Sequence, residues 1–219
     1  QLDYRVCVSD PIRQRLIDRG FEPNRLFSIY NGLDFSHVVP KTDRAAYFAQ
    51  FGYTVHEGDV IAGIAARLDP VKDIPTLIRA VALAQKACPQ LRLAIAGEGM
   101  ERKKLEALAA ELGIADSVFF LGWVNDLDSF YGALDINTLS SLSEAFPYAL
   151  PEGARAHLAT VASNVGGVPA IIEHGVTDVR VMDTKRVGNK MGMLRTMFLD
   201  IEYPGETIRK SRGSKVTAV

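Results

Sequence analysis

Short runs of β-branched and aliphatic residues alternate along the chain with longer segments whose apolar positions recur every three or four residues. The first pattern fits strands and the second amphipathic helices. Their regular alternation predicts an α/β fold built on a parallel sheet. A strand at Arg5–Val8, a helix from Pro11 to Arg19 and a strand over Leu26–Tyr30 form the first unit. Ser9 or Asp10 suits the cap of that helix, Pro11 its first position and Gly20 its end. Asn31-Gly32 then marks a turn. Between Phe35 and Asp59 the pattern weakens to one amphipathic stretch, Arg44–Phe51, closed by Gly52. Beyond it, strands are predicted at Val60–Ala66, Leu91–Ala96, Val118–Leu121, Ile136–Leu139 and Thr160–Ser163. The helices between them fall at Ile74–Cys88, Glu101–Leu112, Leu127–Leu134 and Tyr148–Ala156, with a short one near Ala170–His174.

These strands are apolar on both faces, as a sheet covered by helices on each side requires. The expected fold is therefore a Rossmann-like, doubly wound parallel sheet, and ligands of such sheets bind beyond the carboxyl ends of the strands. We divide the chain into a β-α-β unit at residues 1–33, a connection at 34–57 and a main domain at 58–181. Residues 182–219 lose the periodicity and read as an atypical or poorly structured tail.

Composition narrows the function classes. The chain has 219 residues, 47% hydrophobic and 23% charged, with a net charge of -1. A nucleic-acid binder or a polybasic membrane binder needs an excess of positive charge that is missing here. Cys7 and Cys88 are the only cysteines, which excludes a disulfide scaffold and favours a reducing, cytoplasmic setting. No apolar run is long enough to span a bilayer. No signal peptide is visible, and the start inside a strand without a Met suggests a piece of something longer.

Loops after strands carry the candidate chemistry. Arg67-Leu68-Asp69-Pro70-Val71-Lys72 follows one strand, and its two cations suit a diphosphate, Arg as a planar fork and Lys as a point charge. A solvated loop balanced by Asp69 and Asp73 is the plainer account of the same charges. Gly97-Glu98-Gly99 follows the next strand, where glycines let a backbone approach a ligand or simply make a tight turn. The full G-x-G-x-x-G is absent, since Met100, Glu101 and Arg102 follow. The run from Ser140 to Glu152 places Glu144 in a loop and Glu152 in the helix behind it, about two turns deeper at 3.6 residues per turn. Both carboxylates could accept hydrogen bonds from vicinal hydroxyls, or be a helix-entry residue and a surface residue. Trp123 and Phe146 suit core packing or ligand stacking equally. His37, His56, His157 and His174 lack metal-ligand spacing, and no serine has a G-x-S-x-G context.

Read in order, SIYNGLDFSHV, AARLDPVKDIPTLIRAVALA, LRLAIAGEGMERKKLEALAAELGI, VFFLGWV, and SEAFPYALPEGARA with SNVGGVPAII add a further signal. Together they resemble the carboxyl-terminal half of the retaining GT-B glycosyltransferases of family four, and Glu144 and Glu152 reproduce that family's E-x7-E motif. The resemblance implies that Arg67 and Lys72 hold the donor diphosphate and that Glu144 faces the donor sugar. It implies further that Glu152 binds the nucleotide ribose and that Phe146, Pro147 and Tyr148 contact the sugar and phosphates through the main chain. Gly97, Gly99 and Val124 would flank the nucleotide. The implied activity is transfer of a hexosyl group from a nucleotide-sugar donor, with retention and with no metal or other cofactor. The implied partners are that donor and an amino-terminal acceptor domain, of which residues 1–33 would be the last unit, and the parent enzyme could associate peripherally with a membrane. Departures from the family pattern are Ala66 for a Gly, Ala159 for a Pro, Ala170 for a Glu and Asp178 for a Gly. Two alternatives stay open: a nucleotide-binding or interaction module without turnover, and a GT-B sugar-nucleotide epimerase or phosphorylase-like enzyme.

Overall fold

The computed structural model describes residues 3–36, 39–172 and 179–182. Its main sheet has six strands, β3 (Val60–Ala65), β4 (Leu91–Ala96), β5 (Val118–Gly122), β6 (Ile136–Leu139), β7 (Ala159–Ser163) and β8 (Val179–Met182). Their order is β5-β4-β3-β6-β7-β8 and every pairing is parallel. This is a doubly wound α/β sheet whose strand order reverses between β3 and β6. β8 is absent from the sequence expectation, which stops short of it.

A separate two-stranded parallel sheet pairs β1 (Arg5–Cys7) with β2 (Leu26–Ser28), joined by α1 (Asp10–Asp18). Gly20 ends α1 at φ +88°, a conformation that favours glycine. Ser9 stands at the cap position, yet its hydroxyl makes no cap bond; it donates instead to the Ala145 carbonyl in the main domain.

Helices cover both faces of the main sheet because alternate strand residues point to opposite sides. Ala62, Ile64, Leu93, Ile95 and Phe120 pack under α3 (Ile74–Ala84) and α4 (Arg102–Glu111). On α3, Ile74, Leu77, Ile78 and Val81 recur at helical spacing and are fully buried. Each such side chain is worth about 1.5–3 kcal/mol of burial. Pro75 sits in the first turn of α3, where its missing N–H costs nothing, and Pro89 lies just beyond its frayed end.

The opposite face holds Ile61, Ala94, Phe119 and Leu121, packed with Phe130 and Tyr131 of α5 (Leu127–Gly132). The stretch assigned to a connection contributes to this face. α2 (Arg44–Ala49) buries Tyr47 and Phe48, and Phe48 packs tilted at 5.4 Å from Phe119. Tyr53 lies nearly parallel to Phe119 at 4.6 Å, and its hydroxyl accepts from the Phe120 amide. The amphipathic stretch expected at Arg44–Phe51 is this helix of about one and a half turns, and its apolar face packs into the core. α6 (Ala149–Arg155) covers β6 and β7 with Leu150 beside Leu139 and Ala162. The short helix expected near Ala170–His174 is a 3-10 turn at Val168–Ala170; its later part, the tail after 182, His37 and Asp178 lie outside the described residues.

Candidate functional site

The reversal of strand order leaves a crevice at the carboxyl ends of β3 and β6. A cleft of about 290 Å³ opens there. Arg67 and Lys72 border it from the loop after β3, Gly97 from the loop after β4, Val124 from the loop after β5, and Pro147, Tyr148 and Glu152 from the start of α6. Seven of the ten residues singled out from sequence therefore meet at one opening. Glu144 joins through Lys72, while Gly99 and Phe146 turn elsewhere.

Backbone bonds lock these loops together. The Leu142 amide donates to the Val71 carbonyl at 2.8 Å, and the Ser140 hydroxyl donates to the Lys72 carbonyl at 2.7 Å. Lys72 Nζ then meets Glu144 Oε1 at 2.6 Å, and the Ser141 hydroxyl donates to the same oxygen at 2.5 Å. Both charged side chains are mostly buried, with 18% and 10% exposed. Arg67 differs: 77% of its side chain is exposed, and it leans on Asp69 at 3.0 Å. The cleft thus offers one buried cation neutralised by Glu144 and one exposed cation paired at the surface with Asp69.

Close backbone approaches explain the glycines. Gly97 has φ +142°, and a Cβ there would fall 1.9 Å from the Ala66 carbonyl oxygen. A Cβ on Gly99 would meet the Leu68 carbonyl oxygen at 2.3 Å. The room these glycines create is filled by the Arg67 loop, so they set the position of that loop. Gly166 (φ +54°) and Gly167 do the same for the Glu144 loop, since added Cβ atoms would lie 1.8 Å from the Glu144 and 1.9 Å from the Ala145 carbonyl oxygens. The Gly167 amide donates to the Glu144 carbonyl at 3.0 Å.

Glu152 lies in the first turn of α6, not two turns deep, because residues 144–148 precede the helix as irregular backbone. Its Oε2 accepts from the Tyr131 hydroxyl at 2.9 Å. Phe146 faces Tyr30 of the first unit at 6.4 Å, edge-on. Trp123 is 73% exposed at the cleft rim, which excludes a core role, and its indole N–H donates to Asn125. Tyr131 and Ser141, which hold Glu152 and Glu144, escaped sequence reasoning. Tyr131 reads as one more core aromatic on an amphipathic helix, and nothing local marks its hydroxyl. Of the departures from the family pattern, Ala66 borders the cleft, Ala159 opens β7 and Ala170 ends the 3-10 turn. Among the described residues no group of His, Cys, Asp and Glu side chains could hold a metal ion, and no helix is long and apolar enough to cross a membrane.

The profile of the family described as "Glycosyl transferases group 1" matches residues 48–186, well over half of the chain. The chain belongs to this family. It is 33% identical over 167 residues to a D-inositol 3-phosphate glycosyltransferase of Mycobacterium sp. (strain KMS), covering 73% of this chain and 36% of that relative. The protein of the same name from Mycobacterium tuberculosis (strain ATCC 25177 / H37Ra) is 31% identical over 183 residues, covering 80% and 37%. The chain therefore spans under half the length of these curated relatives. Among solved structures, Anabaena Alr3699/HepE in complex with UDP and glucose superposes with a TM-score of 0.72 at 24% identity, over 82% of this chain and 49% of that one. WaaG, a glycosyltransferase involved in lipopolysaccharide biosynthesis, gives 0.69 at 20% identity, over 86% and 51%. These two share the GT-B fold with the main domain.

Proposed function

We propose that this chain is the donor-binding part of a glycosyltransferase that takes a nucleotide sugar and transfers its hexosyl group with retention. One observation carries this reading: Arg67, the Lys72–Glu144 pair and Glu152 converge on a single cleft at the strand-order reversal. Cations suit the diphosphate, and carboxylates suit the hydroxyls of sugar and ribose. The relatives named as glycosyltransferases and the structural neighbour holding UDP and glucose agree with it.

In this proposal the bond between the anomeric carbon and the diphosphate oxygen breaks as the acceptor hydroxyl oxygen bonds to that carbon on the same face. The hydroxyl proton passes to the departing nucleoside diphosphate, on which negative charge grows as the bond breaks. Arg67 and Lys72 stabilise that charge in place of a metal ion, as oriented cations do in a water-poor site. Glu144 accepts from hydroxyls of the donor sugar, and Glu152 from those of the ribose. The acceptor is held by a second domain. In support, the β1–β2 sheet leaves its register partners Val6 and Phe27 61% and 50% exposed, although parallel sheets are normally covered on both faces. Because holding the acceptor makes transfer effectively intramolecular, the purified chain alone should show no multiple-turnover transfer to simple acceptors. We place the protein in the cytoplasm, where its two free cysteines stay reduced.

Calorimetric titration with uridine, guanosine and adenosine diphosphates tests the reading. Arg67→Ala should lose roughly one to two decades of affinity, the worth of one charge-assisted contact. A folded wild-type chain that ignores every nucleotide at millimolar concentration would leave the interaction-module alternative in its place.

A further inference from the structure

Glu152 borders the cleft from α6, but its carboxylate is held from inside the core. Tyr131 of α5 is fully buried, edge-on to Phe130 at 5.4 Å, and its hydroxyl donates to Glu152 Oε2 at 2.9 Å. Among the described residues no other side chain donates to that carboxylate. Burial first, and the adjacent Glu152 second, raise the Tyr131 phenol well above its ordinary value. It therefore stays protonated, and so a donor, at any working pH.

The backbone beneath Glu152 is already fixed. Asn137, fully buried on β6, donates to the Ala149 carbonyl at 2.8 Å. A Cβ on Gly153 would lie 2.3 Å from the same amide nitrogen, so α6 sits directly on Asn137. Arg155 pairs with Asp128 and ties the far end of α6 to α5. What stays adjustable is the Glu152 side chain itself, with several rotatable bonds to be frozen when a ligand binds. A phenylalanine at 131 would fill the same core volume without burying a polar group that needs a partner. Packing alone does not call for the hydroxyl, and its one partner is a carboxylate bordering the cleft.

We propose that Tyr131 is a positioning residue for nucleotide recognition: its buried hydroxyl holds one oxygen of Glu152 so that the other accepts from the ribose hydroxyls of a nucleoside diphosphate. This rests on Glu152 being the ribose acceptor, as proposed above. Fixing the side chain before binding removes part of the ordering cost and aims the acceptor, which separates ribose-bearing ligands from a bare diphosphate.

The test titrates wild type, Tyr131→Phe and Glu152→Ala with uridine, guanosine and adenosine diphosphates, with the same diphosphates on dideoxyribose, and with inorganic pyrophosphate. Tyr131→Phe should bind the ribose forms roughly five- to tenfold more weakly, and the dideoxyribose forms and pyrophosphate as wild type does. A purely structural role would weaken all three ligand classes alike, and that result overturns the proposal, as does no loss at all. A Tyr131→Phe chain that fails to fold, judged by circular dichroism, overturns it as well, since the hydroxyl would then be needed for the core. If Glu152→Ala weakens the ribose and dideoxyribose forms alike, or neither, the assignment of Glu152 falls and Tyr131 falls with it. If Glu152→Ala weakens only the ribose forms and Tyr131→Phe is silent, only the Tyr131 proposal is lost.

Discussion

Lys72→Met should weaken nucleoside-diphosphate binding by roughly 100-fold or more, the largest loss expected from any single side chain of the cleft. Two effects add. The variant removes a cation that would contact the diphosphate. It also exposes a charge that the wild type hides, because Lys72 Nζ neutralises Glu144 Oε1 at 2.6 Å in a setting where both side chains are mostly buried. Without the ammonium group, an unpaired carboxylate faces an incoming dianion, and like charges repel strongly where water is scarce. Arg67 cannot substitute, since it is highly exposed and tied to Asp69. The second effect is separable: Lys72→Met with Glu144→Gln should recover part of the lost affinity, while Glu144→Gln alone leaves diphosphate binding close to wild type. Calorimetry on the three variants checks this. Equal losses in Lys72→Met and the double variant would mean that the ion pair plays no part in the electrostatics of the cleft.

Phe48→Ala should destabilise the main domain by about 3–5 kcal/mol, the range for truncating a buried phenylalanine. Phe48 is fully buried between Tyr47, at 5.2 Å, and Phe119 of β5, at 5.4 Å. Removing the ring opens a cavity between α2 and the sheet inside a buried cluster. The thermal midpoint should drop by about 6–20 °C on the scaling for a domain of this size. Phe35→Ala, in the same stretch but 58% exposed, should stay within about 0.5 kcal/mol of wild type. Similar small effects at both positions would mean that residues 34–57 are the loose connection their sequence pattern suggests.

Those two phenylalanines show where sequence reasoning stops. The strands and helices from Val60 to Ser163 repeat their periods often enough to be read, and their observed bounds differ by a few residues at most except at α3, where the last turn before Pro89 opens early. α2 is legible as the amphipathic stretch Arg44–Phe51, but at about one and a half turns it is too short to mark which aromatic is core. Only packing reveals that Phe48 is core and Phe35 is not. The site divides the same way. Charged residues in loops after strands advertise themselves, hence Arg67, Lys72, Glu144 and Glu152. Residues that act through another residue do not: Ser141 under Glu144, Tyr131 under Glu152, and Ser9, which leaves its cap to hold the Ala145 carbonyl, depend on contacts distant in sequence. The glycines were found for a different reason from the one the structure gives. Gly97 and Gly99 make room for the Ala66 and Leu68 carbonyls, so they shape the Arg67 loop.

The central claim is that one nucleoside diphosphate bridges the loop after β3 and the first turn of α6. A crystal structure of the chain with a bound nucleoside diphosphate tests it most directly. The account predicts diphosphate oxygens within about 3 Å of the Arg67 and Lys72 nitrogens, and ribose hydroxyls at the same distance from the Glu152 carboxylate that Tyr131 holds. A nucleotide bound away from the crevice between β3 and β6, or bound there with its ribose out of reach of Glu152, would contradict it.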